Sequence, residues 1–109
     1  MSPWHVTLLP AAEAELLRIP NDMQARFVHI CELLESFGPH NVGLPHIRHL
    51  KDKLWEIRIT GRDGIARAIY VASGEKTLTI PHVFIKKTQK TPQKNMAIAQ
   101  KRLQSLHHG

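Results

Sequence analysis

The sequence is short of cysteine, short of acidic residues and without any long apolar run, and each shortage removes a class of protein. A single cysteine, Cys31, allows no internal disulfide, which fits a reducing compartment better than a stapled secreted scaffold. It stands in the apolar stretch FVHICELL, where a buried structural thiol is the expected role. No segment reaches the roughly 20 apolar residues of a membrane-spanning helix. The N-terminus MSPWHVTLLPAAEAELL lacks the basic-then-apolar order of a signal peptide. The expectation is a soluble, cytoplasmic protein with no membrane partner. Nine acidic residues against fifteen basic ones leave a net charge of +6. That balance favours a polyanionic partner, nucleic acid or an acidic protein segment, and says nothing of fold. A Gly-rich phosphate loop, a Ser/His/Asp order and paired carboxylates are also missing. If the protein is an enzyme, it works with basic residues.

What remains is ordinary for a globular chain: 42% hydrophobic and 22% charged residues in 109 positions, enough for one core and one domain, residues 1–109. WHVTLL (Trp4 to Leu9) reads as a strand, and Pro10 opens a short helix in PAAEAELLRI. Pro20 ends it, since a helix interior tolerates neither the missing N–H nor the ring. A second helix starts with Asn21 or Asp22 as its cap. It carries Met23, Phe27, Ile30, Leu33, Leu34 and Phe37 at helical spacing, and Gly38-Pro39 stops it. GPHNVGLPHIRHL is a connection with extended structure possible from Ile47 to Leu50. LWEIRIT and IARAIYVA then form a hairpin around GRDG, and SGEK turns into a third run, TLTIPHVFIKK. Pro81 in that run cannot donate a ladder bond, so the strand is bulged or unpaired there. Thr91 is the expected cap of a final helix, with Pro92 first and Met96, Ala99, Leu103 and Leu106 as its stripe. The fold class is α+β: a small antiparallel sheet, a helical hairpin ahead of it and a helix after it, in the order β-α-α-β-β-β-α.

In LWEIRIT, Trp55, Ile57 and Ile59 share one face and Glu56, Arg58 and Thr60 the other. The first set is the better core face. Arg67 sits among apolar neighbours in the next strand, where an arginine is costly unless something meets it. Two readings stay open: a cross-strand pair with Glu56 at the sheet surface, or an anion site. The third run would bring Lys86 and Lys87 beside Arg58 and Arg67, with Lys90 and Lys94 beyond. Converging cations suit a phosphate; a lysine-rich edge that discourages strand pairing is the alternative. His40, His46 and His49 lack a suitably placed Cys, Asp or Glu partner, so neither a metal nor another cofactor is expected. His82 shares a strand face with Phe84 and Lys86, as a hydrogen-bonded strand histidine or a proton carrier.

LWEIRI, GIARAIYV and above all HVFIKKTQKTPQKNMAIAQKR resemble the RelE/ParE toxin superfamily, in its phage-derived, HigB-like branch, over roughly residues 4 to 104. The resemblance implies a RelE-like fold and the toxin of a type II toxin–antitoxin pair. Its partner would be a cognate antitoxin, often a helix-turn-helix protein of the HigA-like kind, through which alone the toxin meets operator DNA. For RelE- and HigB-like members it implies metal-free cleavage of mRNA on the ribosome, by attack of the 2′-hydroxyl on the neighbouring phosphate. By the same resemblance Arg67 would contact the scissile phosphate, with Lys87 and Lys86 as basic residues at the strand end. Arg58 and Lys90 would bind RNA backbone, and Glu56 would orient Arg67 or accept a proton. RelE's C-terminal catalytic tyrosine has no counterpart here, which leaves His82 as a substitute proton carrier and Tyr70 either stacking on a base or packing in the core. ParE-like members of the superfamily bind DNA gyrase and cut no RNA, and this is the rival expectation.

Overall fold

The computed structural model describes residues 3–43, 45–86 and 90–108, without the side chains of 107 and 108. Strand β1 (His5–Leu8) leads into helix α1 (Pro10–Leu16) and helix α2 (Asn21–Phe37), and a short 3-10 turn covers Pro39–Asn41. Strands β2 (Ile47–Lys51), β3 (Leu54–Gly61), β4 (Gly64–Ala72) and β5 (Thr77–Lys86) follow, and helix α3 (Gln93–His108) ends the chain. They form one five-stranded sheet in the order β1-β5-β4-β3-β2, antiparallel except for β1, which runs parallel to β5. The extended segment suspected at Ile47 to Leu50 is a full strand, β2, paired with β3.

Both ends of α2 are defined by backbone restriction. Pro20 occupies the cap position with no side-chain cap, and its carbonyl accepts the N–H groups of Met23 and Gln24. The expected caps act otherwise: Asn21 is already helical, and the Asp22 carboxylate accepts the Arg62 N–H at 3.1 Å, tying the β3–β4 turn to the helix. At the other end Gly38 takes φ 81° and donates to the Leu34 carbonyl. A Cβ there would stand 2.8 Å from Trp4 Nε1, so both the turn and the Trp4 contact require glycine. Gln24 secures the link between helices by donating to the Ile19 carbonyl at 2.8 Å.

The main core lies between α1, α2 and one sheet face. It contains Met23, Phe27, Ile30 and Leu34 from α2 with Ile57, Ile59, Ala66, Ala68, Ile80 and Val83 from the sheet. This matches the helical spacing read in α2, except that Phe37 is 61% exposed past the last packed turn. Trp55, expected on the core face, lies at its margin and is 39% exposed. On the opposite face α3 covers the strands, and Leu54, Ile69 and Ala99 form a smaller cluster with Met96 and Leu103 against it. Leu106, the last residue of the expected stripe, is exposed.

Pro81 marks a break in register. Between Ile69 and Val71 of β4 there is one residue, whereas their partners His82 and Thr79 are separated by two. The missing N–H of proline is accommodated in this bulge.

Candidate functional site

The site is built where β3, β4 and β5 pass under the start of α3. Arg58 lies directly across from Arg67, and Arg67 directly across from Phe84. Lys86 faces Ile65, two residues along β4 from Arg67. By alternation Glu56, Arg58, Arg67, His82, Phe84 and Lys86 therefore share one face. The sequence-based expectation that β5 brings Lys86 to Arg58 and Arg67 describes this register. Lys87 lies outside the described residues.

Burial differs sharply within this group. Arg67 and Glu56 are both fully buried, Arg58 and Lys86 are half-buried, and Lys90 is exposed. Arg67 Nη1 stands 3.5 Å from Glu56 Oε1 and donates to Thr91 Oγ1 at 2.8 Å. Thr91 in turn donates to Glu56 Oε2 at 2.5 Å, and Arg58 Nε approaches Glu56 Oε1 to 3.9 Å. Thr91 thus bridges the buried pair with its hydroxyl. The final helix begins two residues later, at Gln93, and the Pro92 carbonyl accepts the first N–H groups, those of Asn95 and Met96. The expected pair of Arg67 with Glu56 forms, buried rather than at the sheet surface, and Arg58 and Lys86 share its face. Burial lowers the Arg67 pKa, the Glu56 carboxylate resists this, and the charges of Arg58 and Arg48 add to the lowering.

A second network adjoins the first. His82 Nε2 is 2.7 Å from Asn95 Oδ1, and its Nδ1 is 3.1 Å from both Glu15 carboxylate oxygens. Its ring stacks on Phe84 with centroids 5.1 Å apart. Glu15 Oε1 also accepts the Val83 N–H at 3.0 Å and Arg102 Nη1 at 2.8 Å. The Pro81 bulge supplies one more acceptor, since Arg102 donates to the Pro81 carbonyl at 3.0 Å. Burial opposes ionisation of Glu15, but Arg102, the Val83 N–H and His82 together hold its carboxyl below the ordinary value. The network ties α1, β5 and α3 into one unit and presents His82 with both ring nitrogens engaged.

Tyr70 is not part of this face. It pairs with Trp55 on the α2 side and is almost wholly buried in the main core, where burial pushes its hydroxyl up to about 12. Of the two roles open to it, packing is the one it fills. Burial, with Glu35 and Glu32 nearby, likewise pushes the Cys31 thiol up to about 12, leaving it un-ionised at neutral pH. Among the described residues no three His, Cys, Asp or Glu side chains gather as a metal site would require, and no helix is long and apolar enough to cross a membrane.

Sequence reasoning missed Thr91, Asn95, Arg102, Glu15 and Arg48. Four of these reach the site across 13 to 68 residues of chain, a distance over which no local pattern carries a signal. Arg48 was legible in principle. It lies across from Glu56 once IRHL is taken as a strand, so its alternation places it with Arg58.

A family model described as phage derived protein Gp49-like (DUF891) matches residues 14–104. No curated protein matches the sequence. Among solved structures, the archaeal RelE–RelB complex from Pyrococcus horikoshii OT3 has a chain similar at TM-score 0.58 and 20% identity, covering 78% of this chain and 96% of that one. A chain of the RelBE2 toxin–antitoxin complex from Mycobacterium tuberculosis is similar at TM-score 0.56 and 20% identity, covering 81% and 97% respectively. At that identity the likeness establishes the RelE-like fold.

Proposed function

Because the chain belongs to the Gp49-like family of phage-derived proteins, in the HigB-like branch of the RelE/ParE superfamily, we propose that it is the toxin of a type II toxin–antitoxin pair. Its activity in this reading is that of a metal-independent endoribonuclease acting on ribosome-bound mRNA. The observation that carries it is the alignment of Arg58, Arg67 and Lys86 on one sheet face, with a single carboxylate, Glu56, among them. Its partners would be mRNA, the ribosome and a cognate antitoxin; RelB is the partner named in both similar complexes.

The chemistry follows from what such a face can stabilise. The RNA 2′-oxygen loses its proton and bonds to the adjacent phosphorus, while the bond from phosphorus to the 5′-oxygen breaks. The products are a 2′,3′-cyclic phosphate and a 5′-hydroxyl that takes up a proton. Negative charge grows on the non-bridging oxygens, and preorganised cations in a water-poor site lower that barrier most. Arg58 and Lys86 are accessible enough to meet the phosphate first. Arg67 binds it when the Thr91 hydroxyl gives way, and Glu56 keeps the guanidinium oriented. His82 is the proton carrier beside Arg67, and it serves by exchanging Asn95 for the reacting oxygen at Nε2.

The complete burial of Arg67 and Glu56 favours the rival, a gyrase-binding protein in which this pair is purely structural. Induction of the protein, with mRNA 5′ ends mapped beside a DNA-damage reporter, separates the two. New mRNA ends that fall about 10²–10³-fold in folded Arg67→Ala, and that weaken in the accessible variant Lys86→Ala, support the nuclease. A damage response with intact mRNA sinks it.

A further inference from the structure

The basic face extends one strand beyond the residues assigned above. Arg48 on β2 lies across from Glu56 and is exposed. Glu56 directs its carboxylate at Arg67, Arg58 and Thr91, and Arg48 has no ion-pair or hydrogen-bond partner among the described residues. Its charge is nonetheless close enough to be felt at Arg67. Four cations, Arg48, Arg58, Arg67 and Lys86, therefore occupy consecutive strands around one carboxylate. Arg48 is level with Glu56 and Lys86 with Thr60, so the row is a diagonal. Three strand spacings of about 4.8 Å across and four residues of about 3.4 Å along give it a length of roughly 20 Å, too long for a single phosphate.

We propose that Arg48 and Arg58 hold a second phosphate of the RNA, next to the one at Arg67 and Lys86, so that the RNA strand crosses the sheet obliquely to β2–β5. This rests on the endoribonuclease reading and adds to it a direction and a subsite. Arg48 touches no reacting atom in this arrangement; it sets which linkage lies over Arg67. A phosphate there also relieves the repulsion among neighbouring guanidinium groups, which the lone carboxylate does not neutralise. The competing explanation is that β2 is an edge strand and its cation discourages pairing with another chain.

The test is binding of a fluorescent 2′-O-methyl RNA oligonucleotide, which cannot be cleaved, over a range of salt concentrations. Arg48→Ala is compared with Arg26→Ala, an exposed position on α2 across the sheet. Loss of one phosphate contact on a single strand reduces the slope of log K against log salt by about 0.7. That reduction is expected for Arg48→Ala and not for Arg26→Ala. A methylphosphonate at one linkage should reproduce the loss in the wild type and add nothing in Arg48→Ala. An unchanged slope in Arg48→Ala, or no binding by the wild type, overturns the subsite, whatever Arg67→Ala does to mRNA in cells. A reduced slope with mRNA left intact in cells keeps the phosphate track and removes the nuclease reading instead.

Discussion

Beneath α2 the sheet presents Ile57, Ile59, Ala66, Ala68 and Val83, while beneath α3 the same strands present Glu56, Arg67 and His82. Both sets are buried, yet different physics holds them. On the first face each large apolar side chain contributes about 1.5–3 kcal/mol by leaving water, and a neighbour of similar shape replaces it at small cost. On the second, desolvation of two charges is offset only while each partner remains in place. The α2 face is therefore tolerant and the α3 face brittle. A brittle, charged interior is a poor device for stability alone, which is why it reads as a site.

The sharpest way to break the contrast is Glu56→Ala. It leaves Arg67 charged and buried beside Arg58, and urea unfolding should show a loss of about 3–5 kcal/mol. Replacing the whole pair, as Glu56→Leu with Arg67→Met, should recover most of that stability while abolishing the proposed RNA cleavage, separating the pair's role in the fold from its proposed role in the site. Glu15→Gln removes the carboxylate shared by Arg102, His82 and the Val83 N–H and should cost about 1–2 kcal/mol at pH 7. The folded Glu15 carboxyl lies below its ordinary value of 4.5. Its contribution is therefore whole above that pH and fades as pH falls through the folded value, so the deficit of Glu15→Gln should shrink in acid. Unfolding curves between pH 7 and pH 3 read this directly. On the other face Ile57→Val should cost only about 0.5–1.5 kcal/mol, with the proposed cleavage and RNA binding unchanged.

The same contrast explains what was legible in the sequence. Helix α2 announced itself because Phe27, Ile30 and Leu34 recur at a local period and meet a sheet face that is uniformly apolar. Ile57 and Ile59 were assigned to that face for the same reason. Glu56 and Arg67 were recognised as a possible pair, but their depth was not, because what covers them arrives with Thr91, 35 residues after Glu56. His82 was noticed as a strand histidine; its engagement by Glu15 and Asn95 depends on two helices from opposite ends of the chain. Periodicity reports hydrophobic burial well, since that is a property of each residue. It is silent on polar burial, which is a property of pairs.

The bulge at Pro81 carries a consequence for how this chain can vary. The bulge takes up the extra residue between Thr79 and His82 and so keeps His82, Phe84 and Lys86 toward α3 and Val83 toward α2; threaded as a regular strand, the same residues would present the opposite faces. Related sequences are freer to lengthen the largely exposed connection after α2. Across the second half of β5, insertions and deletions of one residue are forbidden while substitutions are not. Length there acts as a frame, and a comparison of relatives should find it fixed even where the residues differ.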